Sequence, residues 1–114
     1  MRTGPYRLDM KVDIRFRAIQ TSAALREHIK KRAHLEMSRF GDAVRSVVVR
    51  IKDVNGPKGG IDKRCHVVVQ GPTLGTVTVE EPGADPYAAA NVSLGRAGHA
   101  VRRTLDRART VQRS

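Results

Sequence analysis

Residues able to do chemistry crowd the end of this chain, where Arg96, Arg102, Arg103, Arg107, Arg109 and Arg113 stand against a single acid, Asp106. A guanidinium is permanently charged and presents a planar fork of donors that matches phosphate oxygens, so the run reads as a polyanion-binding surface. If the stretch is helical, Tyr87, Ala90, Leu94, Ala97, Val101, Leu105 and Ala108 recur at spacings of three and four and form an apolar stripe turned to a core. Arg96, His99, Arg103 and Arg107 then fall on the opposite side, in a row roughly 16 Å long at the helical rise per residue. Asp85 supplies an N-cap and Pro86 suits the first helical position, where a missing N–H costs nothing. With so few acids to form i to i+4 pairs, this face favours binding over simple solvation.

The whole chain carries the same bias. Its 22 Lys and Arg against 11 Asp and Glu give a net charge of +11 over 114 residues, which points to nucleic acid first and an anionic membrane second. Two Phe, two Tyr and no Trp are too few for base-stacking platforms and favour recognition through phosphates and shape. Cys65 is the only cysteine, so no disulfide framework or cysteine metal site is expected, as suits a reducing cytoplasm. No window approaches the run of about 18 apolar residues that a membrane span needs, and no signal-type apolar region follows the N-terminus. A cytoplasmic protein without a membrane partner is expected.

Catalysis finds little support. His28, His34, His66 and His99 show no H-x-x-x-H spacing. Ser22, Ser38, Ser46 and Ser93 lie in no G-x-S-x-G context, and no phosphate-loop motif is present. The expectation is a non-enzyme with no metal, no cofactor and no small-molecule substrate. Gly56-Pro57-Lys58-Gly59 has the spacing of a G-x-x-G RNA clamp, but it lies between two strand patterns rather than two helices and reads as a hairpin tip.

The elements that must position the arginine row follow from periodicity. Residues 1–9 show no period and read as a disordered leader. From Met10 to Arg17, Val12, Ile14 and Phe16 alternate with Lys11, Asp13, Arg15 and Arg17, as a half-buried strand requires. Thr21 or Ser22 caps a first helix with Leu25, Ile29, Ala33, Met37 and Phe40 on its apolar stripe, ending near Gly41. Its outer face carries Lys30, Lys31 and His34, flanked by Arg26 and Arg32, while Leu35 lies off the stripe. Residues 45–53 alternate again, with Val47, Val49 and Ile51 inward and Ser46, Val48, Arg50 and Lys52 outward. Lys63 to Gln70 places Cys65, Val67 and Val69 on one face, and Leu74 to Glu80 does the same with Val77 and Val79. Glu80, Glu81 and Asp85 lead into the second helix, where they would complement its dipole. Gly95 and Gly98 inside that helix cost roughly 1 kcal/mol each against alanine, which implies close helix approach or a soft stretch.

The order strand, helix, three strands, helix predicts an α+β domain over residues 10–110, with residues 111–114 as a tail. A right-handed crossover and a returning helix place two helices side by side on one face of a four-stranded mixed sheet. The other face is left open, and the basic helix faces combine into one outward surface. Two other uses of this fold are a free-standing binder of double-stranded RNA and a protein-interaction adaptor using the open sheet face, where Val48 and Val68 would be exposed together.

Three stretches carry a family resemblance: Ala24-Leu25-Arg26-Glu27, Asp53-Val-Asn-Gly-Pro-Lys-Gly-Gly-Ile-Asp-Lys-Arg64 and, most specifically, Asp85-Pro-Tyr-Ala-Ala-Ala90. With them the chain, from Met10 to Arg109, resembles the ribosome hibernation promoting factor family, which includes the ribosome-associated translation inhibitor Y. The resemblance implies a stress and stationary-phase inhibitor of translation, bound to the small ribosomal subunit in the cleft of mRNA and the A- and P-site tRNAs and monomeric off the ribosome. It assigns ribosomal RNA contacts to Arg26, Lys30 and Lys31 in the first helix and to Arg96, His99, Arg102, Arg103 and Arg107 in the second. Long members add a C-terminal dimerising domain. This chain stops at Ser114, so any pairing of ribosomes is expected to need another factor.

Overall fold

Alternating apolar and charged residues give strands wherever one face can be buried, and here the buried face is shared by all four strands. A computed structural model describes residues 10–54 and 63–113, with side chains as far as Thr110. The leader and the Gly56–Gly59 stretch lie outside the described residues. The elements are β1 (Lys11–Arg17), α1 (Ala23–Met37), a 3₁₀ segment (Ser38–Ala43), β2 (Ser46–Asp53), β3 (Lys63–Gly71), β4 (Gly75–Gly83) and α2 (Pro86–Arg113). The sheet order is β1-β2-β3-β4. β1 runs parallel to β2, across the α1 crossover, and the other neighbours are antiparallel. This is the α+β arrangement expected, with both helices over one face of a mixed sheet.

The register aligns the inward residues in rows. Ile14 lies beside Val49 and Val49 beside Val67, and Val47 lies beside Val69. Leu25, Ile29, Ala33 and Met37 of α1 and Ala90, Leu94, Ala97 and Val101 of α2 close over them, all buried. Each large aliphatic chain buried this way contributes roughly 1.5–3 kcal/mol. Two glycines allow close backbone approach. A Cβ on Gly71 would sit 1.7 Å from the Ala43 carbonyl oxygen, and one on Gly83 would sit 2.6 Å from the Ala89 nitrogen in the first turn of α2.

Several expectations shift. The α-helix stops at Met37, and 3₁₀ turns carry the chain to Ala43, reversing at Gly41 with φ 59°, a conformation that glycine adopts without strain. Phe40 therefore leaves the α1 stripe and is only half-buried. His34, expected on the outer face, is 3% exposed; it sits three residues before the fully buried Met37 and shares that flank of the last turn. β4 extends to Gly83, so Glu80 and Glu81 are strand residues rather than neighbours of the α2 dipole. Glu80 lies 3.9 Å from Arg64 and Glu81 lies 3.3 Å from Arg96. Leu35 is 56% exposed, and nothing among the described residues explains it. No described helix is long and apolar enough to cross a membrane.

Candidate nucleic-acid interface

The cationic surface depends on how α2 is started and seated. Asp85 Oδ1 accepts the Ala88 N–H at 2.9 Å, and the Asp85 carbonyl accepts the Ala89 N–H at 3.0 Å. This satisfies donors that a first turn otherwise leaves open, while Pro86 has none to satisfy. The helix is seated slightly rotated from the simple stripe. Tyr87 is 40% exposed and meets the His28 ring edge-on at 4.9 Å, whereas Ala89 and Ser93 are fully buried. The Ser93 hydroxyl donates to the Cys65 carbonyl at 3.2 Å, so a polar residue on the buried flank is satisfied by β3. Leu105 and Ala108 are half-buried. A helix of 28 residues is roughly 42 Å long, whereas strands of nine residues span about 30 Å, so the last turns of α2 outrun the sheet.

α1 starts at Ser22, whose Oγ accepts the Leu25 N–H at 3.1 Å. Of the α1 cations expected at the interface, Lys30 and Lys31 are exposed. Arg26 is tied to its own sheet: its Nη1 donates to the Ile14 carbonyl at 3.2 Å and its guanidinium lies 5.2 Å from the Phe16 ring centroid. It fastens α1 to β1 as well as presenting charge.

Gly98 is explained by the seam between the helices, whereas a Cβ on Gly95 would meet only Arg32 Nη2 at an ordinary 3.9 Å. His28 Nε2 lies 2.8 Å from Asn91 Oδ1, Arg32 Nε donates to Glu36 Oε2 at 3.1 Å, and a Cβ on Gly98 would lie 2.9 Å from both Glu36 Oε1 and Arg39 Nη2. The absent side chain leaves room for Glu36 of α1 and Arg39 of the 3₁₀ segment to lie against α2. Close approach, not softness, is the reason for Gly98.

Arg96, His99, Arg102, Arg103 and Arg107 are all exposed on α2, but they do not form one row. Arg96 is paired with Glu81 at 3.3 Å, an exposed bridge of the kind that contributes about 1 kcal/mol or less and yields readily to a phosphate. Arg102 leans toward α1 and lines a concavity of about 180 Å³ with Arg39, Phe40, Leu105, Asp106 and Arg109. Arg103 and Arg107 lie on the other flank of the ridge. His99, Arg102, Arg103, Arg107 and, on α1, Lys31 have no ion-pair partner among the described residues. Arg39 was missed in the sequence because it belongs to a 3₁₀ turn with no period of its own. Arg50 and His66, on the outward side of the sheet, are brought together only by strand register.

Among the described residues no group of three His, Cys, Asp or Glu could hold a metal. Cys65 is buried, and burial pushes its thiol pKa up to about 11, which leaves scarcely any thiolate at neutral pH.

Fold and surface together define a two-layer α+β domain whose paired helices present exposed arginines, Arg102, Arg103 and Arg107 among them having no ion-pair partner among the described residues. The sequence profile of the Sigma 54 modulation protein / S30EA ribosomal protein family matches residues 12–109, and the chain belongs to that family. Membership bears out the resemblance drawn from Asp85–Ala90 and its companions and places the chain among ribosome-associated regulators of translation. The N-terminal domain of Protein Y from Thermus thermophilus has a similar structure, with TM-score 0.67, 23% identity and coverage of 82% of this chain and 98% of that one. A ribosomal subunit interface protein from Coxiella burnetii is similar at TM-score 0.69, 17% identity and coverage of 82% and 96%. These identities establish the shared fold. A comparison with curated protein sequences finds no match.

Proposed function

We propose that this protein binds the small ribosomal subunit through the outer surfaces of α1 and α2, in the cleft taken by mRNA and by the A- and P-site tRNAs, and holds ribosomes inactive by occupying that space. The observation that carries this reading is the set of exposed cations Arg102, Arg103 and Arg107 on α2 beside Lys31 on α1, together with exposed His99, none with an ion-pair partner among the described residues. Arg96 joins them by exchanging Glu81 for a phosphate, and Lys30 and Arg26 extend the surface along α1. Family membership supports the ribosome as partner, and the Coxiella burnetii protein of the same fold is a ribosomal subunit interface protein, in keeping with a position between subunits. Steric competition needs no turnover. Stress and stationary phase are the conditions in which such storage is useful.

Engagement of six to ten phosphates implies that affinity falls by roughly 10³ to 10⁵ between 50 and 200 mM salt. Co-sedimentation with purified small subunits measures this directly. The R103E/R107E variant is expected to lose binding with an unchanged circular dichroism spectrum. Retained binding in that variant, or displacement by free duplex RNA as readily as by mRNA and tRNA, would show the reading to be wrong.

A further inference from the structure

The sheet face turned away from the helices carries its own cluster of cations, assembled only by strand register. Arg15 of β1 lies beside Arg50 of β2, and Arg50 beside His66 of β3. Two residues along, Arg17 lies beside Lys52 and Lys52 beside Arg64. Neighbouring strands are about 4.8 Å apart and residues two along are about 6.6 Å apart, so six basic side chains share roughly 10 by 7 Å of surface. They line a concavity of about 530 Å³ in which Glu80 is the only acid among the described residues.

Like charges directly opposite on adjacent strands destabilise a sheet, and here two such rows lie side by side. Relief is thin. Asp13 holds Arg15 at 2.8 Å and Glu80 reaches Arg64 at 3.9 Å, while Arg17, Arg50, Lys52 and His66 have no ion-pair partner among the described residues. Charge on an edge strand such as β1 guards against edge-to-edge pairing, but that does not account for Arg50 and Lys52 on a central strand. The apolar alternative for this face is weak as well. Val48 and Val68 are cross-strand partners, as a docking pair requires, yet both are half-buried and the next row is Arg50 and His66.

From this charge complementarity we infer that the open sheet face, centred on Arg17, Arg50, Lys52 and His66, is a second RNA-binding surface that grips the phosphate backbone of one strand. Its outward positions on β1 to β4 hold no Phe, Tyr or Trp, and Phe16 and His66 are the rings that line the concavity, so phosphate contacts rather than a platform of stacked bases carry the binding. The domain then contacts RNA on two opposite sides, the sheet face independently of the helices.

The test is an NMR titration of isotope-labelled protein with oligouridylate, run on the wild type and on R103E/R107E, in which the helix surface is disabled. Amide shifts at Arg17, Arg50, Lys52 and Arg64 are expected in both proteins. Adding R50Q/K52Q is expected to weaken oligouridylate binding at least about tenfold at 50 mM salt and to lower the salt slope by about 1.4, the loss of two single-strand phosphate contacts. Sheet-face amides that stay unmoved in R103E/R107E overturn the inference and leave the helix reading intact. Sheet-face shifts together with undiminished small-subunit binding by R103E/R107E uphold the inference and overturn the helix reading. Equal shifts with oligoglutamate at the same salt mean that the face takes acidic protein rather than RNA, and overturn it.

Discussion

The two faces of this domain are both cationic, yet their charge is built in different ways. On the helical face, cations are spaced by the period of α2 and held apart by rotation about one axis, so Arg102 and Arg103, adjacent in sequence, end on opposite flanks. On the sheet face, residues far apart in the chain, Arg15, Arg50 and His66, are brought side by side by pairing. Helical charge depends on how the helix is docked, whereas sheet charge depends on register alone. The consequence is a difference in vulnerability: loosening α2 should disperse the first surface and spare the second.

The largest expected effect comes from disabling both faces. They lie on opposite sides of the sheet and share no side chain, so their contributions to a binding free energy should add. If R103E/R107E costs at least about a hundredfold in small-subunit affinity and R50Q/K52Q about tenfold, the combined variant should lose roughly a thousandfold, read by co-sedimentation across salt. A combined loss no greater than that of R103E/R107E alone would mean that only one face meets the ribosome.

Next in size is Leu94→Ala. Leu94 is fully buried where α2 meets the sheet, and truncation there should cost about 2–5 kcal/mol in urea unfolding. Val68→Thr on the open face, at a half-buried position, should cost less than about 1.5 kcal/mol, because a solvated β-branched residue replaces another. Similar losses for the two would contradict the placing of the core on the helix-covered side of the sheet.

The same contrast explains what could be read from the sequence. Amphipathic alternation located all four strands, and Asp85-Pro86 marked the start of α2 correctly because a cap is a local interaction. Asp85 could be placed without knowing the fold. His34, Tyr87, Glu80 and Glu81 could not. Whether His34 is covered depends on how α1 lies against its neighbours, and Tyr87 lies beside His28, a residue of another element. Glu81 finds Arg96 only because β4 runs on under α2. The residues expected at the α2 surface were individually visible, but their division into flanks required the docking of the helix, and the joining of Arg15, Arg50 and His66 required the register.

Cys65 reports on the joint between the faces, since it lies on the inner side of β3 next to the outward His66 and its carbonyl accepts a hydrogen bond from Ser93 of α2. Burial raises its thiol from 9.0 to about 11. A group that holds its proton more tightly when folded lends stability below its unfolded pKa and loses it as pH rises, here between about pH 9 and 11. Alkylation of the native protein at pH 8 should therefore be far slower than that of the urea-unfolded chain. Ser93→Ala, by leaving α2 less firmly held, should speed labelling without altering oligouridylate shifts on the sheet face.

The smallest expected effect is that of Gly98→Ala, and it bears on the helix face alone. Alanine is preferred over glycine in a helix interior by roughly 1 kcal/mol. Against this, the new methyl would stand 2.9 Å from Glu36 Oε1 and Arg39 Nη2, atoms at the ends of flexible side chains that can swing aside. Their displacement gives up an exposed Arg39–Glu36 contact of 3.8 Å, which contributes about 1 kcal/mol or less. The two effects nearly cancel, so the midpoint of thermal unfolding should move little. What should change is the surface: with Arg39 displaced, the concavity it shares with Arg102 and Arg109 opens, and small-subunit affinity should fall a few-fold while sheet-face shifts stay as in the wild type. A stable Gly98→Ala variant with unaltered affinity would show that the flank holding Arg102 is not part of the contact, and that Arg103 and Arg107 carry α2's share without it.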